Sequence, residues 1–346
     1  MARGTRRRYV RGRYRGSGPR PGRAGPPRRR RPRSRRRRHP ARRRTPARAS
    51  ALASRGVTIA PFGIRGEPLA AHTSLHIGGP ADFFVRVTTE TDLVGTIRVA
   101  RQHELPVFML GGGTNLLVSD KGIRGVVLQN AWREATVDGP IIEASSGTAL
   151  AHVAARAAQA GIEGLEWMAT VPGTVGGAVH GNAGAFGTET ADVVVDAELM
   201  DLNGDTWRSR VDELGYAYRT SSLQGTPIVC VRARFRGTLG DRASAVRRIK
   251  EMANERTNKQ PLAQPNTGSI FRNPPGDHAG RLIEASGLKG RSIGGARVSE
   301  KHANFIVNTG TAKAADVKAL MELCQSEVQE RFGVRLVPEV EVVGEW

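Results

Sequence analysis

The sequence predicts an α+β protein in which a glycine-rich first unit precedes a smaller second unit. From about residue 57, strand-like and helix-like stretches alternate along the chain, and glycines cluster at 111–113 and 173–187. Residues 1–55 show neither pattern and form a separate basic tail. We therefore predict three parts, namely a disordered tail over residues 1–55, a first domain over residues 56–238 and a second domain over residues 239–346.

The positive charge of the chain is concentrated in the tail. The formal charge of the whole chain is +21, yet residues 1–50 contain 22 arginines and no lysine, aspartate or glutamate, so the body is nearly neutral. With seven prolines, six glycines and almost no apolar side chains, this segment cannot bury a core. It could be an arm that contacts polyanions, a targeting segment or sequence translated upstream of the true start.

The composition of the body excludes several classes of protein. A nucleic-acid-binding body needs basic and aromatic side chains, whereas this one is nearly neutral and the whole chain has only 5% aromatic residues. No apolar run approaches the roughly 20 residues of a membrane helix. The two cysteines, Cys230 and Cys324, have no metal or redox spacing. The composition of the body is therefore that of a cytoplasmic protein that does not insert into a membrane.

The first unit is predicted to contain two helices among six strands. Residues 90–104 form an amphipathic pattern with Thr and Asp at its start, and the second helical pattern ends at Gly161. The apolar strand 106–110 runs directly into the first glycine cluster. The second helix is predicted at 148–161, and the other strands at 82–87, 125–130, 141–147, 193–201 and 227–237.

The second unit is predicted to alternate helices and short strands. Pro261 ends the first of its helices. Within 266-NTGSIFRNP-274, Ser269 is expected to start a short strand. Glu339 and Glu341 would share one face of the last strand, so alternation does not choose between them. The helices are predicted at 241–260 and 312–333, and the strands at 303–308 and 338–343.

The two glycine clusters suit an extended ligand that has a pyrophosphate in its middle. Glycines that follow a strand let backbone N–H groups approach a phosphate without obstruction by side chains. The first cluster is not a Rossmann fingerprint, because Leu116 stands where a small residue is needed, and no Walker A motif exists. Tight turns in a β-rich domain are the alternative explanation, which the glycines alone do not exclude.

Six blocks of the body, taken in order, resemble one family. The family is that of the UDP-N-acetylenolpyruvoylglucosamine reductases, flavoenzymes that make UDP-N-acetylmuramate for bacterial peptidoglycan. The resemblance covers about residues 57–346 and leaves the basic tail outside. The blocks are 73-TSLHIGGPADFFV-85, 111-GGGTNLLVSDKGIRGVV-127, 164-GLEWMATVPGTVGGAVHGNAGAFG-187, 218-YRTS-221, 266-NTGSIFRNP-274 and 335-RLVPEVEVVG-344.

This resemblance implies a fold, a cofactor and a reaction. The first domain would be an FAD-binding domain of the vanillyl-alcohol-oxidase (PCMH) type with its core at 79–238, and the second would bind substrate. Only a few residues separate Arg236 from the helix at 241, so the chain resembles the family form that lacks an extra tyrosine-bearing loop. NADPH would reduce the FAD, and flavin N5 would pass a hydride to C3 of the small-molecule substrate, the enolpyruvyl ether of UDP-N-acetylglucosamine, with no metal ion implied. His180 does not match the motif for covalent flavin attachment in related oxidases, so non-covalent FAD is expected.

The same resemblance implies three catalytic residues. Arg219 would hold the substrate carboxylate, Ser269 would give a proton to C2, and Glu339 would complete the set. Arginine suits this role because it can make two parallel charge-assisted hydrogen bonds to a carboxylate. A well-placed serine hydroxyl can donate a proton to a strongly basic carbanion. Substrate contacts are implied for Tyr218, Arg272 and Asn273, the last two at the diphosphate, with Arg272 standing where the family usually has lysine.

Both glycine segments are implied to hold the flavin. A flavin-linked oxidase is the competing enzyme class, and it would share the first domain but lack the motifs around Ser269 and Glu339. A nucleic-acid-binding protein is the competing non-enzymatic class, and only the tail favours it. The implied FAD contacts are Gly111, Gly112, Gly113, Thr114, Asn115, Pro172, Gly173, Thr174, Gly176, Gly177 and Asn182.

Overall fold

The structure is a computed structural model that describes residues 63–346. The predicted basic tail, together with residues 56–62 of the predicted first domain, lies outside the described residues. Within the described part, no helix is long and apolar enough to cross a membrane. Residues 63–346 also contain no cluster of three or more His, Cys, Asp or Glu side chains that could hold a metal ion.

The described residues form seven α-helices, eighteen strands and three short 3-10 helices. The α-helices are α1 (Glu90–Gln102), α2 (Leu150–Gln159), α3 (Val175–Gly181), α4 (Thr190–Val193), α5 (Arg242–Lys259), α6 (Ala279–Ala285) and α7 (Ala314–Phe332). The strands are β1 (Ile64–Arg65), β2 (Ala81–Val87), β3 (Val107–Leu110), β4 (Leu116–Val118), β5 (Ile123–Asn130), β6 (Ala135–Asp138), β7 (Ile141–Ser145), β8 (Ile162–Glu163), β9 (Gly184–Ala185), β10 (Thr188–Glu189), β11 (Val194–Met200), β12 (Thr206–Arg210), β13 (Val229–Arg236), β14 (Thr238–Leu239), β15 (Ser292–Ile293), β16 (Ala296–Val298), β17 (Ile306–Asn308) and β18 (Glu341–Val343). The 3-10 helices are Leu69–His72, Glu166–Thr170 and Val211–Glu213.

A four-stranded sheet in the order β1-β2-β5-β3 carries the first glycine cluster at the end of β3. Strands β2 and β3 both run parallel to β5. Helix α1 covers one face, because its side chains Leu93 and Ile97 lie one turn apart and are fully buried. Thr89 caps this helix by accepting a hydrogen bond from the Asp92 N–H at 3.1 Å.

A five-stranded antiparallel sheet in the order β12-β11-β13-β7-β6 carries the second glycine cluster on its covered face. Helices α2 and α3 pack on it around a core that includes Trp167 and Phe235. Helix α5 packs on the same core through Ile249 and Met252. The predicted domain limit at residue 239, which stays a prediction, would assign α5 to the second domain, although its packing is with the first.

The C-terminal residues form a separate core and then return to pair with a strand that follows the first glycine cluster. Helices α6 and α7 pack with the antiparallel sheet β15-β16-β17 around a core that includes Phe271 and Leu320. The last strand, β18, then pairs in parallel with β4, with Glu341 opposite Leu116. Because β4 directly follows the first glycine cluster, this pairing brings the C-terminal motif beside the glycine loop.

Two predicted strands are wrong in part. The segment that begins at Ser269 is not a strand, because its backbone groups bond to an asparagine side chain and to an irregular C-terminal loop rather than to a regular ladder. The last strand starts only at Glu341, so Glu339 precedes it and the two glutamates do not share a strand face. The Glu339 N–H instead donates to the carbonyl of Ile270 at 2.8 Å.

Several elements were not predicted from the sequence. Helix α3 lies inside the glycine-rich stretch, and three of its own seven residues are glycines, which oppose helix formation. It forms because Val175, Ala178 and Val179 are buried against the second sheet. Strands β6 and β12 were also missed, since both are mostly exposed edge strands without an apolar run.

Candidate active site

A cavity of about 690 Å³ lies where the two glycine segments meet the C-terminal motifs. Its volume falls in the range of sites for cofactors and substrates. The wall contains most of the residues predicted for the site, namely Gly111, Gly112, Gly113, Thr114, Asn115, Pro172, Gly173, Thr174, Gly176, Gly177, Arg219, Ser269 and Glu339. Four other predicted residues are not in this wall, namely Asn182, Tyr218, Arg272 and Asn273.

The two glycine segments lie against each other at the cavity wall. A Cβ atom at Gly111 would lie 2.6 Å from the Thr174 hydroxyl oxygen, which is too close for a side chain. The Thr114 hydroxyl donates to the carbonyl of Pro172 at 3.1 Å. Gly113 has a φ of +62°, and a Cβ there would lie 2.1 Å from the backbone oxygen of His72. The backbone of His72 therefore excludes a side chain at Gly113, and a side chain at Gly111 would meet Thr174 of the second segment.

The first glycine segment also presents free backbone donors. Within residues 63–346, the N–H groups of Gly112, Gly113 and Thr114 have no hydrogen-bond acceptor. Successive N–H groups of this kind form a concave site for an anion such as a phosphate. These three free donors lie in the cavity wall beside glycines that have no side chains. The arrangement fits a ligand that contains a pyrophosphate, such as FAD.

Arg219 is held in place by four hydrogen bonds from its guanidinium group. Nε donates to Glu339 Oε1 at 3.0 Å, and Nη1 donates to Glu189 Oε1 at 3.1 Å. Nη1 and Nη2 also donate to the carbonyls of Asn182 and Gly184, at 3.3 and 2.8 Å. The backbone of Arg219 has a φ of +57°, a strained value for a side chain of this size. Such a conformation persists because the surrounding contacts determine it.

Glu339 connects Arg219 with both the glycine loop and the serine segment. Its carbonyl accepts a hydrogen bond from the Asn115 side-chain amide at 3.0 Å, so Asn115 reaches the C-terminal loop with its side chain. Burial raises the pKa of the Glu339 carboxyl, and the positive charges of Arg219 and Arg272 only partly oppose this, while Glu189 adds to it. Glu339 therefore binds a proton more readily than an exposed glutamate.

Ser269 lies half-buried in the cavity wall, on a segment that Asn304 holds rigidly. The Asn304 side chain bonds to both backbone groups of Phe271, at 3.0 and 2.8 Å, and its carbonyl accepts from the Ile270 N–H at 2.9 Å. Among the described residues, the Ser269 hydroxyl has no hydrogen-bond partner, so it is available to a ligand. Asn304 was not predicted from the sequence, although an amide next to the apolar run 305-FIV-307 indicates a side chain with a structural hydrogen bond.

Asn182 and Asn273 use their side chains within the protein. Asn182 is only 1% exposed, and its amide donates to Glu189 Oε2 at 2.8 Å and to the carbonyl of Ala217 at 3.0 Å. The Asn273 side-chain oxygen accepts a hydrogen bond from the Ala279 N–H at 3.1 Å, at the start of α6. Neither amide faces the cavity, which differs from the predicted ligand contacts.

Tyr218, Arg272 and two histidines complete the surroundings. Tyr218 is 45% exposed, and its ring lies 5.0 Å from the Arg219 guanidinium carbon. Arg272 is half-buried, and its Nε has no hydrogen-bond partner within the described chain. His180 lies in the cavity wall, 3.7 Å from Glu341, whereas His302 accepts a hydrogen bond from the Asn304 N–H at 3.2 Å.

Two family models match the described part of the chain. Residues 81–210 match the FAD binding domain, and these residues include both glycine segments. Residues 260–343 match the C-terminal domain of UDP-N-acetylenolpyruvoylglucosamine reductase, and these residues include Ser269 and Glu339. Both matched ranges thus contribute residues to the cavity wall.

Individual relatives match nearly the whole body. The chain is 46% identical over 282 residues to the UDP-N-acetylenolpyruvoylglucosamine reductase 2 of Symbiobacterium thermophilum, covering 81% of this chain and 92% of that protein. It is 45% identical over 280 residues to the reductase of Caldanaerobacter subterraneus, covering 81% and 93%. The crystal structure of the reductase (MurB) from Thermus caldophilus superposes with a TM-score of 0.70 at 35% identity, covering 81% of this chain and 99% of that one. With this identity over almost the full length of its relatives, the chain belongs to the UDP-N-acetylenolpyruvoylglucosamine reductase family.

Proposed function

We propose that this enzyme uses FAD and NADPH to reduce the enolpyruvyl ether of UDP-N-acetylglucosamine to UDP-N-acetylmuramate. One observation carries the proposal: a single cavity joins glycine segments that suit FAD to the side chains of Arg219, Ser269 and Glu339. Family membership supports the same reaction. Two buried free cysteines are compatible with a cytoplasmic location, which we propose for the enzyme.

Arg219 is proposed to bind the substrate carboxylate by exchanging partners. Its Nη2 makes one hydrogen bond to protein, so one Nη2 N–H is free for a ligand. A second, parallel bond to the same carboxylate can come from Nη1 or from Nε. Glu189 and Asn182 hold both N–H groups of Nη1, and Nε, which Glu339 holds alone, is the donor that we assign to the substrate. A carboxylate that takes both donors must therefore displace Glu339. Protonation of Glu339, which burial favours, weakens its hold on Nε and eases this exchange.

Ser269 is proposed to supply the proton that completes the reduction. FAD, when bound and reduced by NADPH, supplies the hydride that C3 of the enolpyruvyl group receives. Charge then develops at C2 and on the carboxylate, where Arg219 stabilises it. The Ser269 O–H bond breaks as the C2–H bond forms, and the serine oxygen recovers a proton from solvent. Ile270 joins Ser269 to Glu339, because its carbonyl accepts the Glu339 N–H at 2.8 Å.

The proposal can be tested with the purified full chain under anaerobic conditions. NADPH should bleach the flavin absorbance, and the enolpyruvyl substrate should restore it with formation of UDP-N-acetylmuramate, identified by mass spectrometry. UDP-N-acetylglucosamine, which lacks the enolpyruvyl group, is the matched control and should leave the flavin reduced. Reduction of the flavin by an alcohol, followed by rapid reoxidation when oxygen is admitted and none by the enolpyruvyl ether, would identify an oxidase instead.

The contact between the glycine segments predicts a loss of FAD on Gly111→Ala. The added Cβ would lie 2.6 Å from the Thr174 hydroxyl oxygen, so the Thr174 side chain must rotate or the two segments must move apart. We expect the ratio of FAD to protein after purification to fall by more than half. Gly95→Ala is the control, because Gly95 lies on the exposed side of helix α1 and a Cβ there would meet no atom within 4 Å. Equal FAD content in the two variants would show that this contact does not shape the FAD site.

A further inference from the structure

We propose that Glu189 is a positioning residue of this enzyme, which holds Arg219 while the guanidinium exchanges Glu339 for the substrate carboxylate. Glu189 was not among the residues predicted from the sequence. The inference rests on the proposed function, since it concerns the residue that binds the carboxylate. Glu189 acts through Arg219, and no contact with substrate is required of it.

Glu189 lies at the end of a short hairpin that faces the guanidinium group. Strands β9 and β10 pair antiparallel, with Glu189 opposite Gly184. The Glu189 carboxylate accepts from Arg219 Nη1 at 3.1 Å, and the Gly184 carbonyl accepts from Nη2 at 2.8 Å. One hairpin therefore provides both a charged and a neutral acceptor to the same arginine.

The Glu189 carboxylate is itself fixed by a buried amide. Its second oxygen accepts from the Asn182 side chain at 2.8 Å. The Asn182 amide cannot flip at low cost, because its oxygen accepts from the Ala191 N–H at 3.0 Å and its nitrogen also donates to Ala217. Asn182 is only 1% exposed. The buried position of Asn182 is thus explained by the support that it gives to Glu189.

The hydrogen bonds of Arg219 divide into a permanent set and an exchangeable one. Three of the four acceptors belong to residues 182–189, and the fourth belongs to Glu339, which is 120 residues away in sequence. When the substrate carboxylate takes Nε, the first three bonds can remain. The guanidinium then keeps its orientation, and Glu189 keeps it paired with a negative charge throughout the exchange.

Glu189 also influences the protonation of the exchanging partner. The charged groups that act on the Glu339 carboxyl are Arg219 and Arg272, which lower its pKa, and Glu189, which raises it, in addition to burial. Removing the charge of Glu189 should therefore lower the pKa of Glu339. Any limb of the pH profile that reports Glu339 should move to lower pH, an effect that a loss of packing alone would not produce.

The test compares Glu189→Gln with Asp192→Asn in the full-length FAD-loaded enzyme. Asp192 is the control because it accepts the Glu189 N–H at 2.7 Å at the start of α4, without contacting Arg219. We expect Glu189→Gln to reduce the second-order rate constant for flavin reoxidation by the enolpyruvyl substrate by about 10- to 100-fold. In this variant, the limb of the pH profile that reports Glu339 should move to lower pH. Flavin reduction by NADPH should stay within about twofold of wild type. Asp192→Asn should leave both half-reactions and the pH limb near wild type.

A third variant separates position from charge. Glu189→Asp keeps the negative charge near Glu339 but shortens the side chain by one methylene, so reoxidation should slow without movement of the pH limb. Unchanged reoxidation in Glu189→Gln, or equal losses in Glu189→Gln and Asp192→Asn, would overturn the positioning role. Failure of the wild-type flavin to be reoxidised by the enolpyruvyl ether would instead refute the proposed function. If Glu189→Gln does not fold, normal reoxidation by Glu189→Asp is the overturning result.

Discussion

Replacing Ser269 with alanine is expected to slow flavin reoxidation by the enolpyruvyl substrate about 10²- to 10⁴-fold, the usual contribution of a general acid. Flavin reduction by NADPH should remain nearly unchanged, because the enolpyruvyl substrate and its protonation at C2 belong only to the reoxidation half-reaction. The Ser269 hydroxyl has no partner within the described residues, so its removal breaks no internal hydrogen bond. Stopped-flow absorbance of the flavin measures the two half-reactions separately.

The matched control for this prediction is Thr267→Val. It removes a hydroxyl from the same segment, where the Thr267 Oγ1 is buried and has no partner among the described atoms. The change is close in volume, and we expect both half-reactions of this variant to resemble those of the wild type. Equal slowing of both half-reactions in Ser269→Ala, or the same slowing in Thr267→Val, would contradict the role of Ser269 as proton donor.

Replacing Arg219 with lysine is expected to impair the substrate half-reaction despite conservation of charge. A single ammonium group cannot offer two parallel N–H groups to a carboxylate, and it cannot satisfy the four acceptors that the guanidinium meets. Losing a hydrogen-bonded charge pair of this kind costs about 2–5 kcal/mol, so reoxidation should slow by roughly 30-fold or more. The dependence of the reoxidation rate on substrate concentration measures this loss.

The control for Arg219→Lys is Arg232→Lys. Arg232 is similarly enclosed, with 24% of its side chain exposed, and it pairs with Glu90, Glu143 and Glu198 outside the cavity wall. Both variants should lower the melting temperature, because both lose ion pairs. Only Arg219→Lys should change the response to substrate. Similar kinetic losses in the two variants would indicate general destabilisation rather than a role in binding the carboxylate.

The structure changes the chemical role expected of Arg219. Sequence reasoning treated it as an arginine free to grip a substrate carboxylate, whereas the structure gives it two glutamate partners, Glu189 and Glu339. Two carboxylates around one guanidinium leave no surplus positive charge to attract a third. Under the proposed function, binding of the substrate carboxylate becomes an exchange of partners, and the raised pKa of Glu339 favours it.

Strong local signals determined much of the fold. The apolar run predicted at 82–87 is β2, and the capped amphipathic pattern predicted at 90–104 is α1, with ends that differ by one or two residues. Helix α3 escaped prediction because its glycines oppose helix formation, and only burial of Val175, Ala178 and Val179 against the second sheet stabilises it. Where local preference and tertiary packing disagreed, packing decided the structure.

Sequence alone determined the family of this protein and its two glycine segments, and it singled out Ser269, Arg219 and Glu339 as site candidates, because short ordered motifs contain each of them. Only the tertiary structure decided what these residues touch. Glu189 and Asn304 contact partners about thirty residues away in sequence, and Glu339 reaches Arg219 across 120 residues. Neither periodicity nor spacing encodes such contacts, because they arise when hairpin β9–β10 and the pairing of β18 with β4 bring distant segments to one cavity.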